Sequence, residues 1–161
     1  MASVTSNRGK YALLGVYFRT EAALTPTGFN IALITDAGIG TGTAPVAPTA
    51  SNALTWAALS ANEIPVNNGY VAGGIAITRT SSDFTTFTED DANNRAIIGI
   101  RDIVWTAAGG NLPSSGTGAR YAVLMDNTTS KNVFAIFDLG ANRVVSDTQS
   151  FTLRNIEYIL N

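Results

Sequence analysis

Short β-rich runs, closed by turn signals roughly every 8 to 12 residues, set the tightest limit on what this chain can fold into. FNIALIT, residues 29–35, follows a break at Pro26 and Gly28 and places Phe29, Ile31 and Leu33 on one face of a buried strand. GIAITR sets Ile75 and Ile77 on one face, and FTTFT separates Phe84 from Phe87 by an odd step. AIIGIRDIVW, residues 96–105, reads as one long central strand, with Ile97, Ile103 and Trp105 on one face and Ile98, Ile100 and Val104 on the other. Two apolar runs, 119–125 and 133–139, flank DNTTSKN and predict a hairpin. Gly140-Ala141-Asn142 predicts a second turn, leading into Arg143–Ser146. The last strand, 151–160, changes its inward phase near Asn155, as a β-bulge or strand bend would require.

Helical pattern is scarce. Ser6 or Asn7 can cap a helix that aligns Tyr11, Leu14, Gly15 and Phe18, although Val16, Tyr17 and Phe18 also suit a strand. Thr55–Ser60 predicts a single helical turn around Trp56 and Leu59, and Asn67-Asn68-Gly69 predicts a turn. Residues 38–53, rich in Gly, Pro, Ala and Thr, form a loop or arm, and 107–118 a glycine-rich loop. The expectation is a single mainly β domain over 1–161: an antiparallel β-sandwich or barrel, jelly-roll-like, with one N-terminal helix or arm over 1–20 and a short second helical turn.

Composition limits the chemistry. The 161 residues contain neither histidine nor cysteine, which removes the side chain that titrates near neutral pH and most ligands for zinc, copper and iron. No disulfide holds the fold, so the core must. Only 14% of residues are charged, against about 25% in ordinary domains, and the net charge is −2 with no basic cluster. A phosphate backbone has no electrostatic footprint here, so no nucleic-acid partner is expected. A surface of Thr, Ser, Asn, Ala and Gly is cheap to desolvate, which suits contact with neighbours, and Lys10 and Lys131 are the only lysines. The start, MASVTSNRGK, lacks the apolar region of a secretory signal and no run reaches membrane-span length, so a soluble chain without a membrane partner is expected. The Asn127-Thr128-Thr129 triplet is read as a turn, not as a glycosylation acceptor.

Reactive constellations are weak. Glu89-Asp90-Asp91 offers hard oxygen ligands, but its spacing does not match a calcium loop, and a solvated loop is the preferred reading. Asp83, Glu89, Asp102 and Asp126 are candidates for paired-carboxylate hydrolysis, with nothing local to bring two of them across a sugar site. A serine nucleophile has no histidine base, and Ser130-Lys131 lies in a predicted turn where the amine stays solvated. Gly38–Gly42 and Gly9-Lys10 do not meet phosphate-loop spacing. No catalytic, metal or cofactor residue is assigned, and no enzyme is expected. Trp105 and Tyr121 are expected in the core, whereas Tyr17, Phe18 and Trp56 are free to meet another subunit.

SNRGKYALLGVYFR, FNIALITDA, an E-I-P segment followed by NGY and GG, TEDDANNRAIIGIRDIVWTAAGGNLPSSGTGARYAVLMD and VFAIFDLGANRVVSDTQSFTL together resemble small virion structural proteins of tailed bacteriophages. The likeness spans roughly residues 6–153. It implies a head decoration (cement) protein that clamps the major capsid protein as a homo-oligomer, a trimer for preference, in virions assembled in the bacterial cytoplasm. The alternatives are a tail component such as an adaptor, tail-tip or fibre domain, or a receptor- or carbohydrate-binding module. The expected contact residues are Arg8, Lys10, Tyr11, Leu14, Tyr17, Phe18 and Arg19, with the 38–53 arm second.

Overall fold

The computed structural model describes residues 3–5 (backbone only), 13, 25–37 and 55–160. In chain order they form β1 (Ser3–Thr5), β2 (Gly28–Ile34), α1 (Trp56–Leu59), β3 (Ile75–Thr78), β4 (Phe84–Asp90), β5 (Arg95–Ile100), β6 (Ile103–Thr106), β7 (Ala119–Asp126), β8 (Val133–Arg143), β9 (Ser150–Leu153) and β10 (Ile156–Leu160). One sheet has the order β1-β8-β7-β2-β3, a second β10-β5-β4, and β6 pairs with β9. Every strand pairing among the described residues is antiparallel. The architecture is the β-sandwich-like one expected.

Strict alternation in the central strands divides the apolar side chains between two layers. Ile31 and Leu33 of β2 and Ala122 and Leu124 of β7 share one core cluster with Ile100 and Ile156 of the second sheet and with Ile103, Trp105 and Leu153 of the β6–β9 pair. Ala32, Ile34, Tyr121, Val123 and Met125 point the other way and pack with Trp56 and Leu59 of α1. Both faces of β2 and β7 are therefore apolar, as a central strand covered on two sides requires. Aromatic rings knit the main layer: Phe29 meets Phe84 and Phe134 edge-on, each at 5.4 Å between centroids, and Trp105 stacks on Phe151 at 5.7 Å.

The predicted long strand 96–105 is two strands. Ile100 lies opposite Ile156 and Ile103 opposite Leu153, so Arg101-Asp102 and Arg154-Asn155 are passed without a slip in register. β5–β10 and β6–β9 are one antiparallel ribbon folded at a corner. Asn155 turns that corner at φ 53°, and Arg154 reaches Asp102 at 3.5 Å across it. The inward phase reverses at the bend, joining Ile98 and Ile100 to Ile103 and Trp105, while Val104 is exposed. The two faces read from the sequence were thus wrong beyond Arg101. The phase change near Asn155 was read correctly.

The turn expected at Gly140-Ala141-Asn142 is instead a protrusion within one strand. β8 pairs with β7 on both sides of it, Tyr121 opposite Asp138 and Ala119 opposite Arg143. Asp138 Oδ1 accepts the Gly140 N–H at 2.7 Å, and Gly140 adopts φ 78°, so the extra residues loop out and the ladder resumes. The hairpin of 119–125 and 133–139, α1 and the 67–69 turn lie where the sequence placed them, the second strand of the hairpin running on to Arg143.

Candidate interaction surface

The contact residues expected from the sequence, Arg8, Lys10, Tyr11, Leu14, Tyr17, Phe18 and Arg19, lie outside the described residues, as does the 38–53 arm. In the first segment Leu13 is described: it is helical and exposed.

Of the carboxylates that were candidates for chemistry, Asp83, Asp90 and Asp126 are committed to turns, whereas Asp102 meets Arg154 at 3.5 Å on the surface and Glu89 is exposed on β4. Asp83 accepts the Thr78 N–H and hydroxyl at 2.6 Å each and pairs with the Arg101 guanidinium, whose backbone N–H also donates to Asp83 O at 2.9 Å. Those donors, the Thr78 hydroxyl first, lower its pKa to about 2. Asp126 is fully buried inside the β7–β8 hairpin turn and accepts four hydrogen bonds from Thr128 and Asn132. Asp90 accepts from Asn93 and from Arg95 Nε at 2.7 Å, which holds its pKa below the ordinary value and caps the 91–93 turn. Glu63 accepts from Tyr70 Oη and Gly73 N. Among the described residues no group of three or more acidic side chains is placed to share a cation, and Asp90, the middle of the acidic triplet, serves its own turn.

The E-I-P and NGY…GG segments, noted in the sequence only as landmarks, form a latch around β2. Ile64 N–H donates to Leu33 O at 3.2 Å, and the Tyr70 hydroxyl accepts the N–H of the same residue at 2.9 Å. Gly74 lies so close to the Ile31 carbonyl that a Cβ has no room, and its φ is 75°. These residues hold structure together.

Aromatics divide sharply. Trp105, Tyr121, Tyr70 and Tyr158 are buried, as expected for the first two. Trp56, expected to be free for another subunit, is 7% exposed, because α1 lays it on the second face of the five-stranded sheet. Phe87 is the exposed aromatic ring among the described residues, at 79%.

Phe87 belongs to β4, which among the described residues pairs with β5 on one side and with nothing on the other. A bulge between Phe84 and Thr86 sets Phe84 opposite Ile100 and Phe87 opposite Ile98. Three residues of β4 therefore match two of β5, and both rings face inward. The odd step in FTTFT was the sequence signal for that bulge. Along the second row, Tyr158 is buried, Ile98 half-buried and Phe87 exposed, so the inner face of this sheet runs out past its cover. Thr85, Thr86, Thr88 and Glu89 complete an exposed strand without Lys, Arg or Pro, the residues that commonly blunt free edges.

A second feature lies at the other end of the ribbon. A shallow groove of about 410 Å³ runs between β8 and β9, lined by Leu139, Arg143, Val144, Val145, Phe151 and Leu153. Val144 is half exposed on its rim. The lining is mostly apolar, with Arg143 as its charged group.

No protein-family model matches this chain, and no curated protein matches it.

Proposed function

We propose that this chain is a bacteriophage head decoration (cement) protein. It binds the outer surface of the capsid lattice and stabilises it as a homo-oligomer, a trimer in the arrangement its resemblance implies, without a cofactor or a chemical step. The observation that carries this reading is the division of labour among side chains: Asp83, Asp90, Asp126 and Glu63 are used up by turns, while the exposed ring of Phe87 stands on a β4 edge that pairs with no other described strand. A weakly charged surface loses little on desolvation, and several modest contacts made at once give tight retention through effective concentration.

Copy number in purified particles tests the reading. Quantitative mass spectrometry of virions from the phage that encodes the chain is expected to find hundreds of copies, remaining with heads when heads and tails are separated. A few to tens of copies in the tail fraction overturns it and makes the chain a tail component.

A further inference from the structure

We propose that the free edge of β4 is a docking site for the same strand of a second copy, added antiparallel about a two-fold axis through Phe87. The proposal rests on β4 itself and not on the head-protein reading, so its failure leaves that reading in place.

The pleat restricts the register. Directly opposite residues of paired strands point to the same face, and a two-fold axis perpendicular to the sheet keeps inner faces on one side. Inward Phe87 must therefore meet an inward residue, so it pairs with Phe87 or Glu89 of the second copy, or, across the bulge, with Thr85. Pairing Phe87 with itself sets Thr86 opposite Thr88 and continues one apolar row through Tyr158, Ile98 and Phe87 into the same three residues of the second copy. Charge selects the same arrangement. Glu89 then faces Thr85, whereas in-register parallel addition aligns Glu89 and Asp90 with their own copies, and like charges directly opposite are unfavourable. The strand is thus complementary to itself in one direction and not in the other. Such a contact is isologous and distinct from the head-to-tail contacts that close a trimer. It is also small, so it forms and dissociates with concentration.

The absence of cysteine makes cross-linking a clean test. Thr86→Cys chains mixed with Thr88→Cys chains are expected to give a disulfide-linked pair on oxidation, faster than Thr88→Cys chains alone. Phe87→Lys, at an exposed position, is expected to keep the thermal midpoint and circular dichroism of the parent. It raises the dissociation constant of the two-fold step at least about tenfold, halving the assembled mass by sedimentation. Equal masses for parent and Phe87→Lys chains across concentration overturn the proposal. Cross-linking of Thr88→Cys alone as fast as the mixture overturns the register, and with it the Phe87 axis.

Discussion

The phenol oxygen of Tyr70 accepts the backbone N–H of Leu33 at 2.9 Å and completes a ladder that β3 leaves unfinished. β3 pairs with β2 only as far as Ile31, so the buried N–H of Leu33 has no strand partner. The same hydroxyl donates to Glu63 Oε1 at 2.8 Å, and burial pushes its pKa up, keeping the proton in place for that bond. Tyr70→Phe leaves the Leu33 amide without its acceptor and is expected to cost about 1–3 kcal/mol. Urea unfolding checks this: the midpoint falls while the slope is unchanged. Glu63→Gln, which retains an acceptor oxygen, is expected to lose less.

Asp83 links β3 to the corner of the folded ribbon, through Thr78 on one side and Arg101 on the other. The Thr78 hydroxyl, the Thr78 N–H and Arg101 favour its charged form and lower its pKa from 3.8 to about 2. The unfolded chain therefore binds this proton more readily than the folded one. The stabilisation is complete above about pH 4 and is lost as the pH falls through about 2. Asp83→Asn is expected to be less stable than the parent at pH 6 and to flatten the decline between pH 4 and 2. Chemical denaturation at a series of pH values reads this directly, and parallel curves for the two proteins would refute it.

Elements defined by local pattern were legible in the sequence: β2 from Phe29, Ile31 and Leu33, the hairpin of 119–125 and 133–139 from its polar turn, and α1 from Trp56 and Leu59. The corner at Arg101-Asp102 was not, because Ile97 and Val104 make the outward positions apolar too and so hide the change of inward phase from even to odd. At Asn155 the matching break changed the phase from odd to even, and that was visible. The candidate surface failed differently. The odd step from Phe84 to Phe87 announced a bulge, yet the exposure of Phe87 depends on β4 being outermost in its sheet, which is decided by pairings distant in sequence. Trp56 was misjudged for the same reason: its cover comes from β2 and β7, not from its neighbours in the chain.

Asn155 occupies the left-handed region at φ 53°, which a side chain branched at Cβ adopts only under strain. Asn155→Val is expected to destabilise the protein by about 1–2 kcal/mol, whereas Asn155→Gly stays close to the parent. Because residue 155 is exposed, the difference isolates backbone strain from packing. Thermal midpoints of the two variants measure it, and equal losses would mean that the Asn side chain, rather than the backbone angle, holds the corner.

Asp126 gives the most direct test of how the β7–β8 turn is held. Its Oδ1 accepts the Thr128 N–H, the Thr128 hydroxyl at 2.6 Å and the Asn132 N–H at 2.9 Å, while Oδ2 accepts Asn132 Nδ2 at 2.7 Å. Asp126 and Asn132 are fully buried, so the two Asn132 donors left without this carboxylate find no solvent to replace it. Asp126→Ala strands these two and is expected to cost about 3 kcal/mol, from roughly 1–3 kcal/mol for each unpaired buried group. Asp126→Asn keeps one acceptor oxygen but sets its new amide against that of Asn132, donor facing donor, a loss of about 1–2 kcal/mol. Adding Asn132→Asp to that variant restores a donor–acceptor pair in the opposite sense, since the amide at 126 then donates to the carboxylate at 132. The double variant is accordingly expected to be more stable than Asp126→Asn alone, a non-additivity that a double-mutant cycle on unfolding free energies resolves. Simple additivity of the two changes would show that the turn is held by its backbone bonds and not by this pair.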